Sequence, residues 1–249
     1  MPYRESTIEG DIHHIFNRGV DKRKIFLNTQ DYLRFILALY ILNDSENKYD
    51  VWSSLKFNNH ETVSILKPQV KYSTTGLPGN PVVERREKLV DILAFTAMPN
   101  HYHLILKELK DNGTREFMHK FNGGYARYFN KQNQRSGALF EGPYKSVKVK
   151  TDNQLLILFN YVHTNQVALK EKEWKTVGVQ NLQEALKQQN TYSWTSYHDY
   201  IGNPKFPLIT ERNFYLDLIG GSVGCRSSVE DWIKFKAEMA DIPEYLKKL

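Results

Sequence analysis

One cysteine, Cys225, in 249 residues leaves the chain without an internal disulfide and without a cysteine-only zinc site. A lone thiol fits a reducing compartment, so a cytoplasmic location is expected. Long apolar runs are also missing. The longest, FILALYIL from Phe35 to Leu42, is far short of the roughly 20 residues that cross a bilayer, and no membrane partner is expected. The opening MPYRESTIEG holds no apolar stretch, so no signal peptide is expected. Charge is not extreme either. Thirty-four Lys and Arg against 28 Asp and Glu give a formal +6, which favours a polyanionic partner but also describes an ordinary basic protein. What the chain does have is aromatic side chains. Fifteen tyrosines and 13 phenylalanines suit stacking on bases and equally suit a core.

No internal repeat is visible, and the length allows one large core, or one core with a small appendage. DIHHIFNRG (Asp11 to Gly19) alternates as a strand does, with Ile12, His14 and Phe16 on one face. VDKRKIF follows as a basic turn. A helix is expected from Thr29, as its N-cap, to Leu42. Asn43 to about Glu87 is polar and contains LPGNP; it reads as an insertion, about residues 44–87. DILAFTAM (Asp91 to Met98) and HYHLILKEL (His101 to Leu109) read as two strands joined by a Pro99–Asn100 turn. Thr114 is placed to cap a helix in which Phe117, Phe121, Tyr125, Tyr128 and Phe129 recur at helical spacing. YKSVKVK (Tyr144 to Lys150) is a fourth strand, and Asp152 a cap for the helix NQLLILFNYVHTNQVA. The order β-α-β-β-α-β is the α+β, ferredoxin-like split βαβ plan, an antiparallel sheet with helices on one face. It spans residues 1–170. Residues 171–249 are expected as a helical C-terminal extension packed on it, with Ser227 and Glu230 forming a capping box for the last helix.

MPNHYHLIL, Met98 to Leu106, puts two histidines into an apolar run. Side chains on a strand alternate, so His101 and His103 share one face while Tyr102 and Leu104 take the other. Two adjacent imidazoles can chelate a metal. An isolated H-x-H is more often a surface pair beside a turn, so it needs company to mean anything. Tyr161 and Asn165 supply it. They lie four apart, ~40° from each other around a helix, at the border of the stripe Leu155, Leu158, Phe159 and Val162. A phenol and an amide oxygen beside two imidazoles make a small reactive constellation. Of the other histidines, His163 reads as structural, and His13, His14, His60, His119 and His198 have no partner pattern. Glu108, five residues after His103, approaches the spacing of a cupin's first metal motif, but the second cupin motif is missing.

HIFNRGVDKRKIF, AMPNHYHLIL, YARYFNKQNQRSGALFEGPYKS, YVHTNQVA and YSWTSYHDYIG follow one another between Asp11 and Gly202. In that order they resemble the REP-associated tyrosine transposases, single-tyrosine HUH transposases of the insertion-sequence transposase-like superfamily. The resemblance implies the HUH nuclease fold, with His101, His103 and Asn165 as ligands of Mg²⁺ or Mn²⁺ and Tyr161 as the nucleophile. It implies a sequence-specific strand transferase acting on single-stranded or hairpin DNA through a 5′-phosphotyrosine link. No small-molecule cofactor is implied. Two departures stand out: the long polar segment before the second strand, and Asn-Gln-Val at residues 165–167 where relatives often have Asn-Pro-Val.

Lys145 is the candidate for steadying a phosphate beside the tyrosine, its other reading being a solvated strand lysine. Arg18, Lys22, Arg23 and Lys24, with Arg127 and Arg135, are candidates for the DNA backbone or for plain solvated surface. Gly123–Gly124 inside a helix signals either a close approach or a helix break. The alternative function is a non-cleaving DNA-binding protein on the same fold. The oligomeric state stays open, with a monomer favoured.

Overall fold

The computed structural model describes residues 7–46 and 87–238. The interior of the expected insertion, residues 47–86, therefore lies outside the described residues. Its two ends meet: the Ser45 N–H donates to Glu87 O at 2.8 Å. The Asn43 amide pairs with the chain as a strand would, donating to Val90 O and accepting from the N–H groups of Leu89 and Val90.

Four strands form one antiparallel sheet: β1 (Ile12–Arg18), β2 (Val90–Met98), β3 (His101–Glu108) and β4 (Lys145–Val149), in the order β2-β3-β1-β4. This is the split βαβ plan, with β3 between β1 and β2. A helix α1 (Thr29–Ile41) links β1 to β2, α2 (Gly113–Gln132) links β3 to β4, and α3 (Asp152–His163) follows β4. Helices cover both faces, not the single face expected. Ile15, Phe95, Tyr102, Leu104 and Leu106 meet α1 and α2, while Ala94 and Ile105 meet Leu155, Phe159 and Val162 of α3. The cause lies in β2, where eight of nine residues are buried and neither face can be left to water. A bulge between Ile92 and Ala94 turns Leu93 toward α3.

The helix starts shift from their expected caps. Asn28, not Thr29, caps α1 by accepting from the Asp31 N–H at 3.0 Å, and Asp31 accepts in return from Leu27. Thr151, not Asp152, caps α3 by accepting from the Gln154 N–H. At α2 the role expected of Thr114 falls to Glu108: its side chain is fully buried and accepts from the Thr114 N–H at 2.9 Å, satisfying a donor at the helix start. Helix α2 runs unbroken through Gly123–Gly124. Helix α3 ends at His163, short of its expected length; Thr164 leaves helical geometry at φ −108° with its hydroxyl donating to Asn160 O, and a 3₁₀ turn follows over Asn165–Leu169.

Beyond it come α4 (Trp174–Val177), α5 (Leu182–Thr191), α6 (Tyr197–Tyr200), α7 (Asn213–Ile219) and α8 (Gly221–Glu238). Ser227 and Glu230 fall inside α8 and open nothing; the helix starts six residues earlier, after Gly220 reverses the chain at φ +81°. Residues 194–196 run along the free edge of β2. The Ala97 N–H donates to Trp194 O, the Ser196 N–H donates to Phe95 O, and Thr195 bridges Thr96. Trp194 stacks on Tyr32 with ring centres 4.6 Å apart. Trp174 is buried among Val167, Tyr197, Val229 and Ile233. No helix among the described residues is long and apolar enough to cross a membrane.

Candidate active site

His101 and His103 leave the Pro99–Asn100 turn on the sheet face covered by α3. Their ring centres are 5.1 Å apart and nearly perpendicular. His101 Nδ1 lies 2.7 Å from Asn100 Oδ1. An amide oxygen only accepts, so Nδ1 carries the proton and the Nε2 lone pair is left for another partner. His103 Nδ1 lies 2.9 Å from His14 Nε2, and the two rings stack. His14 comes from β1, where Phe16 pairs with His103 and His14 with Ile105. Spacing alone gives His14 no partner, because its shared face with Ile12 and Phe16 is local while the β1–β3 register is not.

All three imidazoles are held neutral. Burial pushes His101 and His14 down to about 4, helped by the Lys175 charge, and holds His103 well below the usual histidine range. Neutral imidazole is the form that binds a metal.

The ring of Tyr161, on α3, stands nearly perpendicular to those of His103 and His14, with centroids 5.4 and 5.9 Å away. The angle of this helix is fixed from β2, where the Thr96 hydroxyl donates to Val162 O at 2.8 Å. Asn165 is not on the helix as expected but on the first residue of the 3₁₀ turn. Its amide donates back to Tyr161 O at 2.8 Å, and it lies close enough to His101 to bear on that imidazole's proton affinity. A further residue joins them that the sequence reading did not single out. Lys175 Nζ donates to Asn165 Oδ1 at 2.9 Å and lies 4.1 Å from the centre of the Tyr161 ring.

Among the described residues no three His, Cys, Asp or Glu side chains cluster so as to hold a metal. The donor atoms the site could offer are instead the Nε2 atoms of His101 and His103 and the Asn165 amide oxygen, which here accepts from Lys175. Such a set fits a divalent ion that keeps open positions for substrate oxygens. The cupin spacing makes no site: Glu108 faces the opposite side of the sheet and is committed to the start of α2.

The basic residues are more scattered. Lys145 is exposed on the edge strand β4, opposite Phe16, with Nζ 5.8 Å from that ring. Phe16 in turn lies 5.7 Å from the His103 ring. Arg18 forms a two-pronged ion pair with Glu141 at 2.7 and 3.1 Å. Arg23 folds back onto Val20 O, while Lys22 and Lys24 are exposed on the turn after β1. Arg135 is used within its own loop, bonding Asn130 and Ala138 O. Arg127 lies on the exposed side of α2, across the sheet from the histidines. The structure thus brings His101, His103, Tyr161 and Asn165 together, leaves Lys145 one ring away, and sets Arg127 and Arg135 apart.

A split βαβ sheet that turns a histidine pair toward a tyrosine helix is the architecture that the motif resemblance implied. Residues 84–165 match the family model for IS200-like transposases. The match covers about a third of the chain, runs from before β2 to Asn165, and bears out the transposase resemblance drawn from the motifs. Over those residues the chain is similar to IS200-like transposases. No curated protein matches the chain. A solved structure described as a REP-associated tyrosine transposase bound to a REP hairpin aligns over 86% of this chain and 95% of its own, at 13% identity and a TM-score of 0.44.

Proposed function

We propose that this protein is a metal-dependent single-stranded DNA endonuclease and strand transferase acting on hairpin DNA, with Tyr161 as its nucleophile. The observation that carries this reading is the meeting of two neutral imidazoles, each with Nδ1 engaged by a neighbour, with the Tyr161 ring and the Asn165 amide. His101, His103 and Asn165 would hold Mg²⁺ or Mn²⁺, which supplies Lewis-acid polarisation of the attacked phosphate. The Tyr161 oxygen attacks phosphorus and the P–O3′ bond breaks. The phenol gives up its proton and the departing 3′ oxygen takes one up, leaving a 5′-phosphotyrosine and a free 3′-hydroxyl. Bond energy is conserved in the ester, so a second 3′-hydroxyl can reverse the step without ATP. Lys145, with Phe16 beside it, would meet the DNA next to this centre, and Lys22 and Lys24 its backbone. Arg18 can contribute only by leaving Glu141, and Arg127 and Arg135 would meet DNA only on a separate surface.

Incubating a labelled hairpin oligonucleotide from the gene's own flanking DNA with Mn²⁺ and the protein tests the reading. Wild type should form a denaturation-resistant protein–DNA adduct, and Tyr161→Phe, which removes one oxygen, should form none while keeping fold and DNA affinity. An adduct with Tyr161→Phe would overturn the nucleophile. No adduct with wild type on any flanking hairpin would favour the non-cleaving binder.

A further inference from the structure

Lys175 comes from α4, a single helical turn in the extension, yet it reaches the centre of the site. Its neighbour Trp174 is almost fully buried against Val167, Tyr197, Val229 and Ile233, so the backbone that carries the lysine is anchored. The ammonium touches the one oxygen the site's amide can offer a metal. It also lies over the face of the Tyr161 ring, and its charge reaches all three imidazoles. Any divalent ion held by Asn165 Oδ1 would share that oxygen with a fixed positive charge. Lys145, by contrast, is separated from the histidines by Phe16.

We infer that Lys175 makes metal binding and DNA binding cooperative, opposing the divalent ion when DNA is absent and bridging to the scissile phosphate when DNA is bound. The inference rests on the metal-dependent reading above. Two cations that repel each other across one amide oxygen become mutually tolerable once an anionic phosphate lies between them. Linkage then requires the ion to raise DNA affinity by the same factor by which DNA raises ion affinity. The lysine and Tyr161 O together fix the Asn165 side chain, so an ion would meet an oriented amide.

Mn²⁺ affinity, read by paramagnetic resonance or calorimetry with and without the hairpin oligonucleotide, tests this in a Tyr161→Phe background where no cleavage intervenes. With Lys175 present, the hairpin should tighten Mn²⁺ binding on the order of tenfold or more. Lys175→Met keeps the aliphatic stem and removes the charge. It should bind Mn²⁺ on the order of tenfold more tightly without DNA and lose most of the enhancement by DNA. Lys175→Arg, which keeps the charge, should retain the enhancement. If Lys175→Met leaves both affinities unchanged while the parent binds Mn²⁺, the role of Lys175 is wrong and the metal reading stands. If the parent binds no Mn²⁺ with or without DNA, the metal reading falls and takes this inference with it.

Discussion

His14 is placed to decide which nitrogen of His103 faces a metal. If His103 ligates through Nε2, its Nδ1 must carry the proton, and His14 Nε2 at 2.9 Å is the acceptor. His14→Phe keeps an aromatic ring in the stack of His14, Phe16 and His103 but removes the acceptor. The His103 Nδ1–H is then left without a partner inside a site where that side chain is 5% exposed. An unmade hydrogen bond of that kind costs ~1–3 kcal/mol. His103 can avoid the penalty by moving its proton to Nε2, which removes the lone pair the metal needs. Loss of such an outer partner typically costs about 10- to 100-fold in metal affinity. The expected outcome is therefore Mn²⁺ binding weakened at least tenfold in His14→Phe, with partial recovery in His14→Gln, whose amide oxygen can accept. Urea unfolding of the metal-free proteins controls for packing damage, and nitrogen-15 spectra of the imidazoles report the His103 tautomer directly. Wild-type Mn²⁺ affinity in His14→Phe, with the His103 tautomer unchanged, would refute the reasoning.

Two further tests address stability. Adding a Cβ at Gly113 would place it 2.3 Å from Leu89 O, whereas at Gly123 it would meet nothing within 4 Å. Gly113→Ala should therefore lower the urea midpoint by the equivalent of ~1–3 kcal/mol, and Gly123→Ala should raise it by ~1 kcal/mol through helix propensity; unchanged DNA affinity in Gly123→Ala would show that no DNA backbone approaches there. Burial pushes His163, bonded to Ser196 Oγ at 2.7 Å, down to about 3. Between the unfolded value near 6.5 and that folded value, the unfolded chain binds one more proton at this residue. Stability should then fall as pH is lowered through this window, by ~1.4 kcal/mol per pH unit from His163 alone. His163→Gln should show a shallower loss between pH 6 and pH 4, and an identical slope would refute the assignment.

The sheet was legible because its signals are local. Period-two alternation over Asp11 to Gly19, two apolar runs and a Pro-Asn turn define β1, β2 and β3 with little need of tertiary information. Helix starts were less legible, since Asn28 and Thr29, like Thr151 and Asp152, are adjacent residues that can both cap. Only the direction of the entering chain chooses between them. The early end of α3 carries no glycine or proline, and the Thr164 hydroxyl that turns back onto Asn160 is equally at home inside a helix. The helices on both faces of the sheet follow from the double burial of β2, which its near-continuous apolar run could have suggested.

Site legibility follows the same division. The H-x-H pair and the spacing of Tyr161 and Asn165 are periodic features, and the structure sets them against each other. His14 depended on strand register, which pairs residues about ninety positions apart. Lys175 lies on a four-residue helix too short to show periodicity, in a stretch whose composition reads as polar surface; the buried Trp174 beside it was the one sign of an anchor. A boundary set at residue 170 by composition therefore passes between Asn165 and the lysine that holds it. Cutting the chain at Ala168 would remove that lysine, and with it residues 194–196, which cover the edge of β2. Loss of DNA binding in such a truncation would confound a damaged centre with a lost binding surface. The point substitution Lys175→Met separates them, because it changes the charge at the centre and leaves the edge of β2 covered.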